Sequence, residues 1–96
     1  MPDLSNVTRD DVMAALAEYD KLGGDEFLSR YGFGPSREYV LLHGERSYDS
    51  KAILGVAHRY ATGAALSSQD FSGGRSGAAK VLRALGFEVS GPDEIP

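Results

Sequence analysis

The 96-residue chain has no cysteine, which removes disulfides and thiolate metal sites. Imidazole is nearly as scarce. Only His43 and His58 could ligate a metal through nitrogen, so a structural zinc is not expected and no cofactor is implied. No apolar run approaches the roughly 20 residues that span a bilayer. Met1-Pro2-Asp3 is not the basic, then apolar, opening of a secretory signal. The expectation is a cytoplasmic protein with no membrane partner. The last scarcity is local: between Arg46 and Arg83 the only acids are Asp49 and Asp70.

Against those two acids the same stretch carries six of the ten basic residues, Arg46, Lys51, Arg59, Arg75, Lys80 and Arg83, and so has a formal charge of +4. Residues 1–45 hold nine acids and four bases, residues 88–96 three acids and no base, and the whole chain is at -4 with a pI near 5.0. If the middle block folds with its cations on one surface, the chain has an electrostatic footprint for a polyanion that the overall pI conceals. Hydrophobic residues at 42% and charged residues at 25% fit one globular domain with a modest core. That domain is read as residues 1–90, with 91–96 as linker.

Local signals outline the elements. Thr8 with Asp10 and Asp11 is a helix start, Val12, Ala15, Leu16 and Tyr19 follow at helical spacing, and Gly23-Gly24 stops the run. Asp25 can cap a short second helix ending at Gly32. Residues 38–43 and 46–49 read as a hairpin turning on His43-Gly44-Glu45-Arg46. Asp49 or Ser50 can cap a third helix ending at Gly63, with Ile53, Val56, Ala57 and Tyr60 on its apolar face. A fourth helix opens in Ser72-Gly73-Gly74-Arg75-Ser76, buries Ala78, Val81, Leu82 and Leu85, and ends at Gly86; Phe87-Glu88-Val89 is a closing strand able to join the hairpin. The predicted class is α+β, a small helical domain with a small antiparallel sheet, winged-helix-like in arrangement.

Three features carry candidate chemistry. Lys51, Gly55, His58 and Thr62 form a stripe on the third helix, with Arg59 about 80° round at roughly 100° per residue. Arg46 and Ser47 would arrive at the same end, and a glycine in the stripe would let a phosphate backbone approach. Ser72-Gly73-Gly74-Arg75-Ser76 offers helix-start amides, hydroxyls and a guanidinium to an anion, without the Walker spacing of a nucleotide hydrolase. Lys80 and Arg83 lie three apart on the fourth helix. Each feature has a plain alternative, a solvated helix face or a capped loop. Tyr19, Tyr31, Tyr39 and Tyr60 fall on apolar faces and read as core. Tyr48, between Arg46 and Lys51, is the candidate for base stacking or phosphate contact, with burial against the hairpin as its alternative. No serine, carboxylate or metal pattern beside either histidine names a catalytic group.

The string Gly44-Glu-Arg-Ser-Tyr-Asp-Ser-Lys-Ala-Ile-Leu-Gly-Val-Ala-His58, with Phe71-Ser-Gly-Gly74 and Leu82-Arg-Ala-Leu-Gly-Phe-Glu-Val89, resembles the N-terminal head domain of McrA-like HNH restriction endonucleases from actinobacteria, modification-dependent type IV enzymes. Glu18-Tyr-Asp and Phe27-Leu-Ser-Arg-Tyr-Gly-Phe33 fit the same domain, and the likeness runs from about residue 8 to 90. It implies a module ahead of domains that read modified DNA and of an HNH nuclease whose catalytic His-Asn-His residues have no place here. The expected role is therefore non-catalytic engagement of double-stranded DNA, modified or not, through Arg46, Ser47, Tyr48, Ser50, Lys51, His58, Arg59, Ser72, Gly73, Gly74, Arg75, Ser76, Lys80 and Arg83. The alternative is a protein-interaction or dimerisation module that positions the nuclease's other domains, using acids such as Asp10, Asp11, Asp20, Asp25 and Glu26. A third reading places a small enzyme for a phosphorylated compound at the Gly73-Gly74 loop.

Overall fold

A computed structural model of the chain describes residues 4, 6–34, 39–66 and 77–91. Thr8 and Asp11 open α1 (Arg9–Leu22) with a reciprocal capping box: the Asp11 amide donates to Thr8 Oγ1 at 3.3 Å and the Thr8 amide to Asp11 Oδ2 at 2.9 Å. α2 (Gly24–Tyr31) follows at once, with Gly23 as the shared end residue at φ 86°. No side chain caps α2. Asp25, expected as its cap, lies instead in its first turn, where a carboxylate still meets the positive helix end.

β1 (Val40–His43) and β2 (Arg46–Asp49) form the hairpin, whose two-residue turn needs a left-handed first position and finds it in Gly44 at φ 63°. β3 (Glu88–Ser90), one residue later than predicted, pairs antiparallel with the other edge of β1, giving the order β2-β1-β3. Register places Tyr48, Leu41 and Val89 side by side across the three strands, and all three are buried. α3 (Ser50–Thr62) leaves the hairpin without a turn, and α4 (Ala78–Ala84) packs on α3 and β3. The architecture is α+β: four helices against a three-stranded antiparallel sheet.

α3 departs most from expectation. Ala52, Ile53, Leu54, Gly55, Val56 and Ala57 are all buried, so this stretch is wrapped on every side instead of presenting a polar stripe. Gly55 is inside because residues 64–66 fold back over it, the Leu66 amide donating to the Gly55 carbonyl at 3.2 Å while the Phe33 ring closes the gap. Ser50 is buried too, its hydroxyl donating to the Tyr39 carbonyl at 2.7 Å and tying the start of α3 to the strand before the hairpin. The start of the fourth helix expected at 72–76 lies outside the described residues.

At an exposed helical site, Gly→Ala stabilises by about 1 kcal/mol. At Gly55 a Cβ would lie 2.6 Å from Phe33 Cζ and 2.9 Å from the Leu66 carbonyl oxygen. Gly55→Ala is therefore expected to destabilise by about 1–3 kcal/mol in urea denaturation, and a stabilised variant would refute the burial.

Candidate nucleic-acid interface

Glu18, Tyr19 and Asp20 are consecutive on α1, so at roughly 100° per residue they point in three directions. Asp20 faces β2, where it accepts from the Tyr48 hydroxyl at 2.9 Å and pairs with the Arg46 guanidinium. Tyr19 points inward between Phe27 and Tyr48, both rings 5.0 Å away, and donates to Asp49 at 2.8 Å. Burial and the Asp49 carboxylate push the Tyr19 phenol far above its ordinary pKa, so it remains a donor. The groove beside Asp20, about 340 Å³, is lined by Tyr19, Asp20, Gly23, Gly24, Arg46, Ser47 and Tyr48.

Glu18 faces the opposite side. It accepts from the Tyr31 hydroxyl of α2 and, at 2.7 Å, from the Tyr60 hydroxyl of α3. Burial alone would raise the Glu18 pKa, but the two phenols and the Arg59 and Arg30 guanidiniums outweigh it and hold the carboxyl below its ordinary value. The Tyr31 phenol is raised by burial and by Glu18, the Tyr60 phenol first by its bond to Glu18. Around this anchor lies a cleft of about 570 Å³ whose lining includes Glu18, Lys21, Arg30, Tyr31, Arg59 and Tyr60.

The residues nominated from the sequence therefore part company. Arg46 and Ser47 are exposed at the Asp20 groove, Arg59 is exposed at the Glu18 cleft, and Lys80 is exposed on α4. Lys51 is half-buried in the first turn of α3. Arg83 is half-buried and donates to the Val89 carbonyl at 2.8 Å, clipping α4 to β3. His58 sits at the end of α3 with Nδ1 2.6 Å from the Ala64 carbonyl, so that nitrogen carries the proton and donates. Tyr48 and Ser50 are interior residues. Ser72, Gly73, Gly74, Arg75 and Ser76 lie outside the described residues.

The tyrosines exchange roles. Tyr48, nominated for stacking, is 4% exposed, while Tyr60, read as core, is 43% exposed. Lys21 and Arg30 escaped notice because they lie in the acidic half. Their signal was their place in the last turn of each of the first two helices, the position Arg59 has in α3.

The family model for the ScoMcrA-like N-terminal head domain matches residues 5–91. Among solved structures, the type IV phosphorothioation-dependent restriction endonuclease ScoMcrA is similar at 32% identity with a TM-score of 0.67, over 95% of this chain and 14% of that one. Nothing among curated proteins matches the chain.

Glu18→Gln is expected to cost about 1–2 kcal/mol near neutral pH, since it removes an ionised acceptor from two phenols. A depressed carboxylate stabilises the fold fully above its unfolded pKa of about 4.3 and loses that contribution as pH falls through the lower folded value. The difference between the parent and Glu18→Gln should therefore shrink on acidification below that range in urea titrations. A difference unchanged from neutral pH to pH about 3 would contradict the ionised role of Glu18.

Proposed function

The chain belongs to the ScoMcrA-like N-terminal head-domain family, and on that footing we propose that it is a non-catalytic DNA-engaging module of a modification-dependent restriction endonuclease. The observation that carries the reading is a 32% identity sustained over 95% of the chain with a structure of a restriction endonuclease. Because the chain spans only about 14% of that relative, the nuclease chemistry belongs to the proposal and is assigned elsewhere in the parent protein. The local chemistry agrees. Beside His43 and His58 the chain has a single asparagine, Asn6, and His43 stacks edge-on against Phe87 at 6.0 Å while His58 is engaged with Ala64.

In this role the exposed cations Arg46, Arg59 and Lys80 contact phosphates. The Arg46–Asp20 pair is solvent-accessible on both sides, so exchanging its carboxylate for a phosphate costs little. Arg75 and the Gly73-Gly74 amides stand as further phosphate ligands. The other domains of the same chain are the remaining partners. Against the docking alternative, two of the acids it would use are held by bonds within the fold: Asp11 in the α1 cap and Asp20 by the Tyr48 hydroxyl.

The test is a fluorescence-anisotropy titration of one short duplex in unmodified, cytosine-methylated and phosphorothioated forms at two salt concentrations. Backbone binding predicts that Arg59→Ala/Lys80→Ala weakens all three duplexes alike and makes the log Kd against log salt dependence shallower by about 1.8, at about 0.9 per phosphate contact. No binding to any duplex at tens of micromolar protein would end the DNA reading in favour of a docking module.

A further inference from the structure

We propose that the cleft between α1, α2 and α3 seats the sugar–phosphate backbone of a duplex, with Lys21, Arg30 and Arg59 as its phosphate-pairing groups. The assignment rests on the DNA-engaging reading and gives it a location that the basic 46–83 segment does not. Lys21 and Arg30 come from the half of the chain with an acidic excess, and folding alone brings them to the same cleft as Arg59.

Each of the three cations lies in the last turn of its helix, where it offsets the negative helix end. That accounts for one cation per helix. It does not account for three of them lining one cleft of about 570 Å³ in which, among the described residues, Glu18 is the only lining carboxylate. Counting those four side chains, the cleft has an excess of two positive charges on a protein whose total is -4. The Arg30–Glu26 pair is exposed on both sides at 3.8 Å, so Arg30 can turn to a phosphate at small cost.

The class of ligand follows from what the cleft holds back. The Tyr31 and Tyr60 hydroxyls are committed to Glu18, which leaves charge as the means of recognition. Glu18 repels a single small anion drawn deep into the cleft, whereas an extended polyanion touches the cationic rim and stays clear of it. Ala14 and Ala17 put no bulk on the α1 wall, so a continuous backbone can lie close. A regular line of identical charges, as in duplex DNA, meets those conditions.

The decisive variant is Lys21→Glu/Arg30→Glu, which leaves Arg59 and every cation of the 46–83 segment in place. Circular dichroism checks folding, and Lys21→Ala/Arg30→Ala serves if the charge reversal unfolds the domain. The reversal is expected to weaken duplex binding at least tenfold, with the salt dependence shallower by about 1.8. Inorganic phosphate should compete only at concentrations that act as bulk salt. Parent-like binding by the Lys21/Arg30 variant, with loss in Arg59→Ala/Lys80→Ala, would overturn the cleft assignment and leave the DNA reading standing. Tight competition by inorganic phosphate would overturn the extended ligand. A parent that ignores duplexes but holds a polyglutamate peptide through Lys21 and Arg30 would reassign the cleft to an acidic protein segment, and failure to hold either would remove both assignments.

Discussion

The setting of α2, α3 and β2 is referred to one turn of α1. Glu18, Tyr19 and Asp20 leave the helix about 100° apart, and each finds a different neighbour: Glu18 the phenols of α2 and α3, Tyr19 the carboxylate at the junction of β2 and α3, Asp20 the phenol and guanidinium of β2. Apart from the Arg46 guanidinium on Asp20, the bonds are of one type, a phenol donating to a carboxylate. Hydrogen bonds to a charged group contribute roughly 1.5–3 kcal/mol where they are sheltered, and leaving such a carboxylate unpaired would cost more than the bond gains. The arrangement is complete in that sense, for among the described residues no buried side-chain polar atom lacks a partner. A slip in the angular setting of α1 would break contacts with α2, α3 and β2 together.

That use of carboxylates redistributes the protein's charge. Asp11, Glu18 and Asp20 are spent on internal bonds, so an acidic sequence does not make a uniformly acidic surface. At physiological ionic strength the screening length is about 8 Å, and a phosphate arriving at the Glu18 cleft experiences Lys21, Arg30 and Arg59 more strongly than acids on the far side. In the proposed role the net negative charge acts at longer range, where it would slow the approach of DNA and weaken binding by the isolated domain. Attachment to further DNA-contacting domains would offset that weakness by raising the effective concentration of the head at its duplex.

The features legible in the sequence are those decided within a few residues. The Thr8–Asp11 cap, the Gly44 turn and the glycines after α1, α2 and α3 are local chemistry, and all stand where the sequence places them. The hairpin's apolar run and turn, with the alternation of Phe87-Glu88-Val89, carried the sheet to within one residue at β3. What was not legible depends on segments distant in the chain. Gly55 reads as exposed until residues 64–66 are folded over it. Tyr60 lies on an apolar helical stripe, yet Glu18 draws its hydroxyl to the cleft and leaves the ring half in water. Tyr48 lies between two cations, where the sequence leaves stacking and burial both open, and its register with Leu41 and Val89 decides for the inner face of the sheet.

The candidate site fails to follow the linear charge map for the same reason. Basic residues along 46–83 are routed apart: Arg46 to Asp20 on one side of α1, Arg59 to the cleft on the other, Arg83 to the Val89 carbonyl. Charge grouped along the chain becomes charge grouped on a surface only when the element carrying it lies on that surface over its length, and α3 is instead enclosed through its first two turns. A cleft built this way has a functional consequence. Its two phenol hydroxyls are held by Glu18, so little hydrogen-bonding capacity remains in it to distinguish one base or one modification from another. In the proposed role, a head domain of this design would add affinity and orientation to a DNA-bound nuclease, and discrimination among duplexes would come from groups outside the cleft.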